Sequence, residues 1–442
     1  MAGQIGRRTI LIGLGASAIG GALAACGTPG GGQSSGPSKG ASKDLKKIVY
    51  MTNNQDPLAA PTVKKWNAAG KGFTVELRTA DSVQYTDSFP RLATAKDAPN
   101  IAGYFISGGH YADLAKAGAL LELSELWQKS GLTDNVPKLI KDYYSSFTPD
   151  GKFYGAPTNT SRYGCFFYRK SVLKSAGITP PENHEWSSEA EFNDACDRLK
   201  AKGIAPVSIG GKDGYPISHI QDGLLSSVMA PDKVADPLGI DYTSEEWKAP
   251  IKKMMEWVSK GYFARGFLGR STDQGNTLFA KNGAGFNTGM NVWQPLMTEA
   301  GIPLEDLDWC LLPPIGPLPT KMSVYAGGGI VIPSIAEGHA QALEFGEWLL
   351  SPERALESAK TGAVIPARTD VPGLEKALGP VGGSMYNRSG ESGRSQFGWD
   401  DLPPTDMITH DRTNLQAVLA GTMSVDEFCK EMENLKKGHA KQ

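Results

Sequence analysis

The sequence predicts an α/β fold in two domains, on two observations. The first is a strand, a helix and a strand that follow one another within about thirty residues, the length of a β-α-β unit. Ile48 to Thr52 is an apolar run, Pro61 opens a helix, and residues 73 to 77 alternate apolar and polar side chains. Such a unit predicts parallel strands joined by a right-handed crossover. The second is that about 400 residues follow the N-terminal segment, which is too many for one ordinary core and natural for two domains.

The N-terminal segment has the parts of an export signal. Arg7 and Arg8 form a basic head, residues 9–25 carry no charge, and Leu23-Ala24-Ala25 stands directly before Cys26. A basic head, a short apolar core and small residues at a cleavage site are typical of exported proteins. The apolar stretch is shorter than the roughly 20 residues that a membrane span needs. We therefore expect export rather than a spanning anchor.

Leu-Ala-Ala-Cys resembles the lipobox of bacterial lipoproteins. The resemblance implies a signal peptide at 1–25 and a diacylglycerol on the Cys26 thiol, which would anchor the chain to the membrane. Twelve of the eighteen residues from Gly27 to Asp44 are Gly, Ser or Pro, so 26–44 reads as a lipidated Cys and a flexible tether. A Cys that merely ends an ordinary signal is the alternative. Both the general secretory route and the twin-arginine route stay open.

Composition excludes several classes of partner. The formal net charge is −2 and the basic residues form no long run, so we expect no nucleic acid partner. After Cys26 no apolar run is long enough to cross a bilayer.

The remaining cysteines lack CxxC spacing, and disulfides among them stay open: Cys165, Cys196, Cys310 and Cys429. Cys196 shares the apolar face of a helix with Phe192 and Leu199, which favours a buried free thiol.

Further elements can be read along the chain from apolar runs and their punctuation. Ser188 begins a Ser-x-x-Glu capping box before an amphipathic helix. The other predictions are strands at 101–106, 204–209 and 330–332 and helices at 111–116 and 339–350. Glycine-rich loops follow the predicted strands at 101–106 and 204–209, and the glycines 327 to 329 precede the strand at 330–332.

Catalytic and metal signatures are missing from the expected places. Gly-x-Ser-x-Gly matches only within 32–40, in the tether, where no strand precedes a helix. His184-Glu185 begins a zinc-protease pattern, but position 188 is Ser. The six histidines have no metal-ligand spacing. We expect no catalytic residues, no metal and no cofactor, although a glycosidase pair assembled from distant acids stays open.

The order of segments along the chain resembles bacterial extracellular solute-binding proteins of family 1, the carbohydrate receptors of ABC importers. The resemblance covers nearly the whole mature chain, and each segment alone is weak. The matching segments are Asp150 to Pro157, Phe167 to Pro181, Trp186, Gly203 to Val207, Gly210 to Pro216, Gly285 to Gly289 with Trp293, the glycines 327 to 329, and Ala342 to Leu349. Trp293 departs from the pattern, because many relatives have Trp within two residues of the Gly.

The resemblance implies a two-lobe, periplasmic-binding-protein-like (type II) fold with a hinge and an interlobe cleft. One α/β lobe would comprise 45–157 plus 323–368, and the other 158–322 plus 369–442. A mono- or oligosaccharide would bind between them by hinge closure. The implied protein is a monomer on the outer face of the cell membrane that delivers ligand to the transmembrane subunits of an ABC permease. A same-fold receptor for a non-sugar solute and a cell-surface glycosidase are the alternatives.

Sugar recognition calls for aromatic faces against C–H groups and for polar side chains against hydroxyls. We expect stacking from Trp293, on the resemblance, from Tyr325, which precedes glycines beginning at Gly327, and from Trp399. A core position is the alternative for each ring. Polar contacts are expected from strand-end loops and from the first crossing between the lobes: Asn54, Asp56, Ser107, His110, Arg162, Tyr163, Asp213, Tyr215 and Asp400. Asp213 could instead only fix its own turn.

Overall fold

The strands of the protein assemble into three sheets. The structure is a computed structural model and describes residues 44–54, 56, 58–106, 109–146, 148–360 and 364–439. The strands, in chain order, are β1 (Lys47–Asn53), β2 (Thr74–Ala80), β3 (Ile101–Phe105), β4 (Ala156–Pro157), β5 (Asn159–Tyr163), β6 (Cys165–Arg169), β7 (Ala205–Ser208), β8 (Ala284–Gly289), β9 (Leu307–Leu311), β10 (Met322–Tyr325), β11 (Gly328–Val331), β12 (Ile365–Pro366) and β13 (Ser395–Phe397).

Helices cover the sheets and connect most of the strands. In chain order they are α1 (Ala59–Ala68), α2 (Ser82–Ala93), α3 (His110–Lys116), α4 (Ser124–Lys129), α5 (Leu132–Asn135), α6 (Lys138–Ser146), α7 (Lys170–Ser175), α8 (Glu189–Ala201), α9 (Tyr215–Leu225), α10 (Pro231–Val234), α11 (Glu245–Ser259), α12 (Thr272–Ala280), α13 (Gln294–Glu299), α14 (His339–Leu349), α15 (Pro352–Lys360), α16 (Leu374–Gly390), α17 (Thr405–Leu419) and α18 (Val425–His439). Short 3-10 turns lie at Glu182–His184, Gly211–Asp213, Phe267–Gly269, Asn291–Trp293 and Trp399–Asp401.

The first sheet has the strand order β2-β1-β3-β11-β4. The predicted β-α-β unit is confirmed, since β1 pairs in parallel with β2, and it also pairs in parallel with β3. The expectation of a parallel sheet is wrong for the other edge, where β11 pairs antiparallel with β3 and β4. These two strands come from distant parts of the chain. Their direction therefore depends on long-range returns that a local pattern does not encode.

The second sheet has the order β7-β8-β6-β9. Only β7 and β8 pair in parallel there, whereas β6 pairs antiparallel with β8 and β9. All six residues of β8 are buried. A strand covered on both faces lies in the middle of a layered α/β core.

A third, small sheet has the order β12-β5-β10-β13. In the sequence, its strands β5 and β10 lie between strands of the first two sheets, and its strands β12 and β13 follow them all. Its longest strands are β5 and β10, which pair antiparallel through Ser323 and Tyr163. Gly164 ends β5 with a φ of 68°. A Cβ at this position would lie 2.8 Å from the Ser323 hydroxyl oxygen, so the close approach of the two chain segments requires glycine.

A local signal fixes the start of α8. The Ser188 side chain accepts a hydrogen bond from the backbone N–H of Glu191, so the predicted start of α8 is confirmed. Cys196 is fully buried on that helix, and the four described cysteines are free thiols, which answers the open disulfide question for these residues. Among the described residues, no helix combines the length and the apolar composition that crossing a membrane would take.

Candidate functional site

Two aromatic rings meet at the carboxyl end of β8. Trp293 ends the 3-10 turn that follows this strand, and Tyr215 begins α9. Their ring centroids lie 6.2 Å apart at an interplanar angle of 65°. Trp293 is 8% exposed and belongs to an apolar cluster with Phe167 and Met297. Tyr215 is half-buried, so this pair, the aromatic wall (Trp293 and Tyr215), presents one accessible ring on an apolar base.

Hydrogen bonds to α12 hold Tyr215 and the loop before it. The Tyr215 hydroxyl donates to Thr272 Oγ1 at 3.0 Å, and Asp213 Oδ2 accepts the backbone N–H of Thr272 at 2.7 Å. Burial raises the pKa of Tyr215 to about 12, so its hydroxyl stays a hydrogen-bond donor at neutral pH. Asp213 therefore fastens its loop to the first turn of α12, a longer-range contact than the fixing of its own turn that was the alternative for it.

His219 continues the row from Tyr215, one turn further along α9. Its ring lies 5.4 Å from Tyr215 and 4.1 Å from Tyr163, measured between centroids. The side chain is 5% exposed, and burial, with a contribution from Arg412, lowers its pKa to about 3. The imidazole is therefore neutral. Sequence reasoning missed this residue, although a histidine at i+4 from an expected binding residue on one helix was a usable signal.

Four buried carboxyl groups lie behind His219; we call them the carboxyl cluster (Asp222, Asp400, Asp401 and Asp411). None of their residues is more than 8% exposed. The Tyr163 hydroxyl lies 3.0 Å from Asp222 Oδ2 and 2.7 Å from Asp401 Oδ2. Burial raises the pKa of each carboxyl, that of Asp401 to about 8 and that of Asp411 to about 7.

Arg412 is the cation that balances this cluster. Its Nε and Nη2 atoms donate to the two oxygens of Asp400 at 2.9 and 2.6 Å, a bidentate pair. Burial raises the pKa of Asp400, and the Arg412 guanidinium opposes that rise. The Arg412 side chain keeps 37% of its surface exposed, whereas the Asp400 side chain is fully buried. Asp400 was expected at the site, whereas Arg412, Asp222 and Asp401 were missed.

Arg162 is engaged by the protein itself. Its backbone N–H donates to Asn291 Oδ1 at 2.6 Å, and its guanidinium donates to Ser389 Oγ at 2.7 Å and to the Ser161 carbonyl at 3.3 Å. The residue is 9% exposed, and burial lowers its pKa to about 10. Its contacts tie β5 to α16 and to the turn that carries Trp293. We therefore assign the Arg162 side chain a supporting role at the site.

Trp399 lies in the core, which corrects the expectation that its ring stacks on a ligand. It is 1% exposed, and its Nε1–H donates to the Tyr242 hydroxyl at 3.0 Å. The ring packs edge-on against Trp247 with the centroids 4.9 Å apart. The polar residues around it in sequence suggested a surface position. In the structure, however, the backbone N–H of Trp399 donates to the buried Asp222 Oδ1 at 3.1 Å.

Tyr325 lies between the candidate site and the end of β3 in the first sheet. It is 8% exposed, and its ring centroid lies 6.4 Å from that of Phe105 at the end of β3. Burial raises the pKa of Tyr325, and the charge of Asp401 adds to the rise. At Gly327, with a φ of 84°, a Cβ would lie 2.1 Å from the Asn159 carbonyl oxygen. The glycine therefore serves the packing of the chain against itself.

The other expected residues lie at the ends of strands in the first sheet. No described contact joins them to the residues from Trp293 to Tyr325. The backbone N–H of Asn54, an exposed residue, donates to the Ala80 carbonyl at 2.8 Å. Asp56 Oδ1 accepts the backbone N–H of Leu58 at 3.0 Å, beside the start of α1. His110 is half-buried at the first position of α3. Ser107 and Cys26 lie outside the described residues.

Two surface cavities lie elsewhere. One, of about 450 Å³, is lined by Asp406, His410, Glu431, Asn434, Leu435, Gly438 and His439. The other, of about 410 Å³, is lined by Met229, Asp232, Lys233, Asp236, Gly239, Ile240, Asp241, Ser244 and Glu246. Neither is lined by an expected site residue or by a Trp, Tyr or Phe ring with which a sugar face could stack, so the row from Trp293 to Tyr325 stays the candidate site. In the part of the chain that the structure describes, no group of three His, Cys, Asp or Glu side chains could hold a metal.

Comparison with known proteins decides the family. The family model for bacterial extracellular solute-binding proteins matches residues 62–377, more than half of the chain. The chain belongs to the bacterial extracellular solute-binding proteins. The family is extracellular, so this solute-binding protein is exported. Its members bind solutes rather than convert them, which confirms the expectation of a receptor and not an enzyme.

Individual relatives are distant. This solute-binding protein is 24% identical over 238 residues to an uncharacterized ABC transporter extracellular-binding protein of Pyrococcus horikoshii, an alignment that covers 49% of this chain and 53% of the relative. The chain spans about half or less of the length of the curated relatives it matches.

Solved structures share the fold over nearly the whole chain. A chitin oligosaccharide binding protein matches with a TM-score of 0.77 and 20% identity, covering 90% of this chain and 99% of that chain. An ABC transporter solute binding protein of Thermotoga lettingae bound with α-D-tagatose matches with a TM-score of 0.73 and 18% identity, covering 89% and 99%. The predicted two-lobe α/β fold is thereby confirmed.

Proposed function

We propose that this solute-binding protein is the carbohydrate receptor of an ABC importer. The observation that carries the proposal is the aromatic wall, a half-buried Tyr215 beside Trp293, next to a row of hydroxyl, imidazole and guanidinium groups. A sugar ring offers C–H groups to aromatic faces and hydroxyls to such polar partners. The fold neighbours named for chitin oligosaccharide and tagatose support this ligand class.

The predicted lobe boundaries fit this function. The three predicted crossings, after residues 157, 322 and 368, each lie in or next to a strand of the third sheet, namely β5, β10 and β12. We propose that this sheet is the hinge between a lobe of 45–157 plus 323–368 and a lobe of 158–322 plus 369–442. Ligand that contacts both lobes would stabilise their closed arrangement.

Titration calorimetry against a panel of mono- and oligosaccharides tests the proposal. We expect at least one sugar to bind with micromolar or tighter affinity and to be recovered unchanged. Binding of only peptides, polyamines or other non-sugar solutes would contradict the choice of ligand class. Reducing sugar released during the incubation would instead indicate a glycosidase, for which the inward-facing, hydrogen-bonded carboxyl cluster offers no support.

We propose further that Cys26 carries a lipid anchor and that 27–44 tethers the receptor to the outer face of the cell membrane. A flexible chain of about eighteen residues has a mean reach of a few tens of Å, enough for a monomeric receptor to capture ligand and to dock on a neighbouring permease. In cells that express the full chain, Cys26→Ala should move the protein from the membrane fraction to the medium or periplasm. Retention of the variant on the membrane would contradict the anchor.

A further inference from the structure

One hydroxyl at the candidate site lies between two carboxyl groups. The Tyr163 hydroxyl oxygen is 3.0 Å from Asp222 Oδ2 and 2.7 Å from Asp401 Oδ2. A tyrosine hydroxyl has one hydrogen to donate and can otherwise only accept. If both carboxyls were ionised, one of these two oxygens would face a lone pair with no hydrogen between them. The geometry therefore calls for one proton on a carboxyl group.

Backbone contacts indicate which carboxyl holds that proton. Asp222 Oδ1 accepts the N–H of Trp399 at 3.1 Å, and its Oδ2 accepts the N–H of Asp400 at 3.2 Å. Such donors stabilise an ionised carboxylate. Among the described hydrogen bonds, the only one to the Asp401 side chain comes from Tyr163. We infer from these contacts that a protonated Asp401 donates to Tyr163 and that Tyr163 donates to Asp222. We call this chain the junction triad (Asp401, Tyr163 and Asp222).

The surroundings of Asp401 oppose its ionisation. Burial raises the pKa of Asp401 to about 8, and the charge of Asp400 adds to the rise. Burial also raises the pKa of Asp222, but the hydrogen bonds that Asp222 accepts from the Asp400 N–H and from Tyr163 oppose that rise. Arg412 acts in the opposite direction, but its guanidinium is already paired with both oxygens of Asp400. The titratable and charged groups that face Asp401 come from six elements: Tyr143 (α6), Tyr163 (β5), Asp222 (α9), Tyr325 (β10), Asp400 (its own 3-10 turn) and Arg412 (α17).

Asp401 also connects the turn 399–401 to α6 and, through α6, to the end of β3 in the first sheet. Its backbone carbonyl lies 3.0 Å from the Tyr143 hydroxyl, which lies equally near the Ile106 carbonyl at the end of β3. The Tyr143 ring packs against Phe397, with the centroids 4.8 Å apart. The turn 399–401 is thus held on one side by the junction triad and on the other by α6.

We propose that the proton on Asp401 holds the turn 399–401 in place, so that its loss in mildly alkaline solution loosens the contact with α6 and weakens ligand binding. Deprotonation would leave two carboxylates competing for the single Tyr163 hydrogen, and their repulsion would push the turn away from β5 and α9. The effect on binding rests on the proposed function, whereas the effect on stability does not.

Thermal unfolding without ligand tests the stability effect. The pKa of Asp401 is raised in the folded state, so its contribution to stability is fully present below the ordinary carboxyl pKa of about 4 and is lost as pH rises through about 8. The melting temperature of the wild type should fall by several degrees from about pH 6 to about pH 9. Asp401→Asn, which cannot ionise and can still donate to Tyr163, should flatten most of this slope. It should keep a smaller slope near neutrality from Asp411, whose pKa is about 7. An unchanged slope in Asp401→Asn would overturn the proposal.

Two further variants keep the test specific. Asp222→Asn removes a second carboxyl whose pKa burial raises, so it should reduce the slope less than Asp401→Asn does. A slope removed by Asp222→Asn but not by Asp401→Asn would overturn the assignment of the proton. Asp306→Asn is the matched control: Asp306 is paired with Arg169 at 2.8 Å, and hydrogen bonds from Ser171 and Arg169 lower its pKa against the effect of burial. Its loss should not alter the alkaline slope.

The binding effect is tested by calorimetry with whichever panel sugar the wild type binds. Affinity should fall several-fold from about pH 6 to about pH 9 in the wild type and stay nearly constant in Asp401→Asn. Equal pH dependence in both proteins would overturn the link to ligand binding. If no sugar binds at either pH, the proposed function fails, and the unfolding experiment still decides the role of Asp401.

Discussion

The aromatic wall and the carboxyl cluster are neighbours with opposite physical characters. Trp293 and Tyr215 rest on apolar side chains and need no charged partner. Asp222, Asp400, Asp401 and Asp411 are buried, where a carboxylate is costly unless it is paired, hydrogen-bonded or protonated. The two meet at His219, which touches Tyr215 on one side and Tyr163 on the other.

This difference indicates that the aromatic wall chiefly serves binding and that the carboxyl cluster chiefly serves stability. An aromatic wall on an apolar base can contact a ligand and lose little stability when its accessible ring is changed. The carboxyl cluster holds α9, β5, α17 and the turn 399–401 together through charge-assisted hydrogen bonds, so that a change there disturbs the whole junction. Variants should therefore separate into those that chiefly alter stability and those that chiefly alter affinity.

The largest effect is expected from Arg412→Ala. Removing the guanidinium leaves Asp400, 1% exposed, without its bidentate partner. Breaking a buried pair from one side typically costs 3–5 kcal/mol, and because the Arg412 side chain is partly exposed we expect the lower end, about 3 kcal/mol in the free energy of unfolding. Denaturant unfolding at neutral pH measures this loss.

A double variant shows whether the loss comes from the stranded charge. Arg412→Ala combined with Asp400→Asn removes the unpaired carboxylate and should recover part of the stability that Arg412→Ala loses. A loss below about 1 kcal/mol in the single variant, the range of exposed ion pairs, would mean that the cluster does not depend on Arg412. That result would contradict the view that changes in the carboxyl cluster chiefly alter stability.

The aromatic wall could largely be predicted from the sequence, and the carboxyl cluster could not. Trp293 follows an apolar strand, and Tyr215 follows a glycine-rich loop at a strand end, so both are marked by their immediate neighbours. The hydrogen bonds of Tyr163 join residues 59 and 238 positions apart in the chain. No local period encodes such pairs. The one signal was on α9, where Ser218, His219, Gln221 and Asp222 interrupt an otherwise apolar helix that is buried from Pro216 to Leu225.

The same distinction explains the fold. The strands β1 to β3 and the cap of α8 follow from alternation and capping within a few residues, and the structure has them as predicted. The antiparallel strands β4 and β11 pair across more than 150 residues, a separation that no local pattern encodes. Trp399 was misplaced for the same reason: polar neighbours in sequence suggested exposure, while its partners Tyr242 and Trp247 lie far back in the chain.

A smaller and more selective effect is expected from Trp293→Leu. If the ring supports the ligand face, affinity for the sugar identified in the panel should fall about tenfold, equivalent to 1.4 kcal/mol. Because Trp293 also packs in an apolar cluster, some stability is lost as well, and the melting temperature alone cannot separate the two roles. Trp309→Leu is the matched control, since Trp309 is fully buried in the same cluster but lies against His184 and donates to Ser384 Oγ at 2.8 Å. Calorimetry on both variants should find the loss of affinity only in Trp293→Leu. Equal losses in both variants would mean that Trp293 has a purely structural role and that Tyr215 is the ligand-facing ring of the aromatic wall.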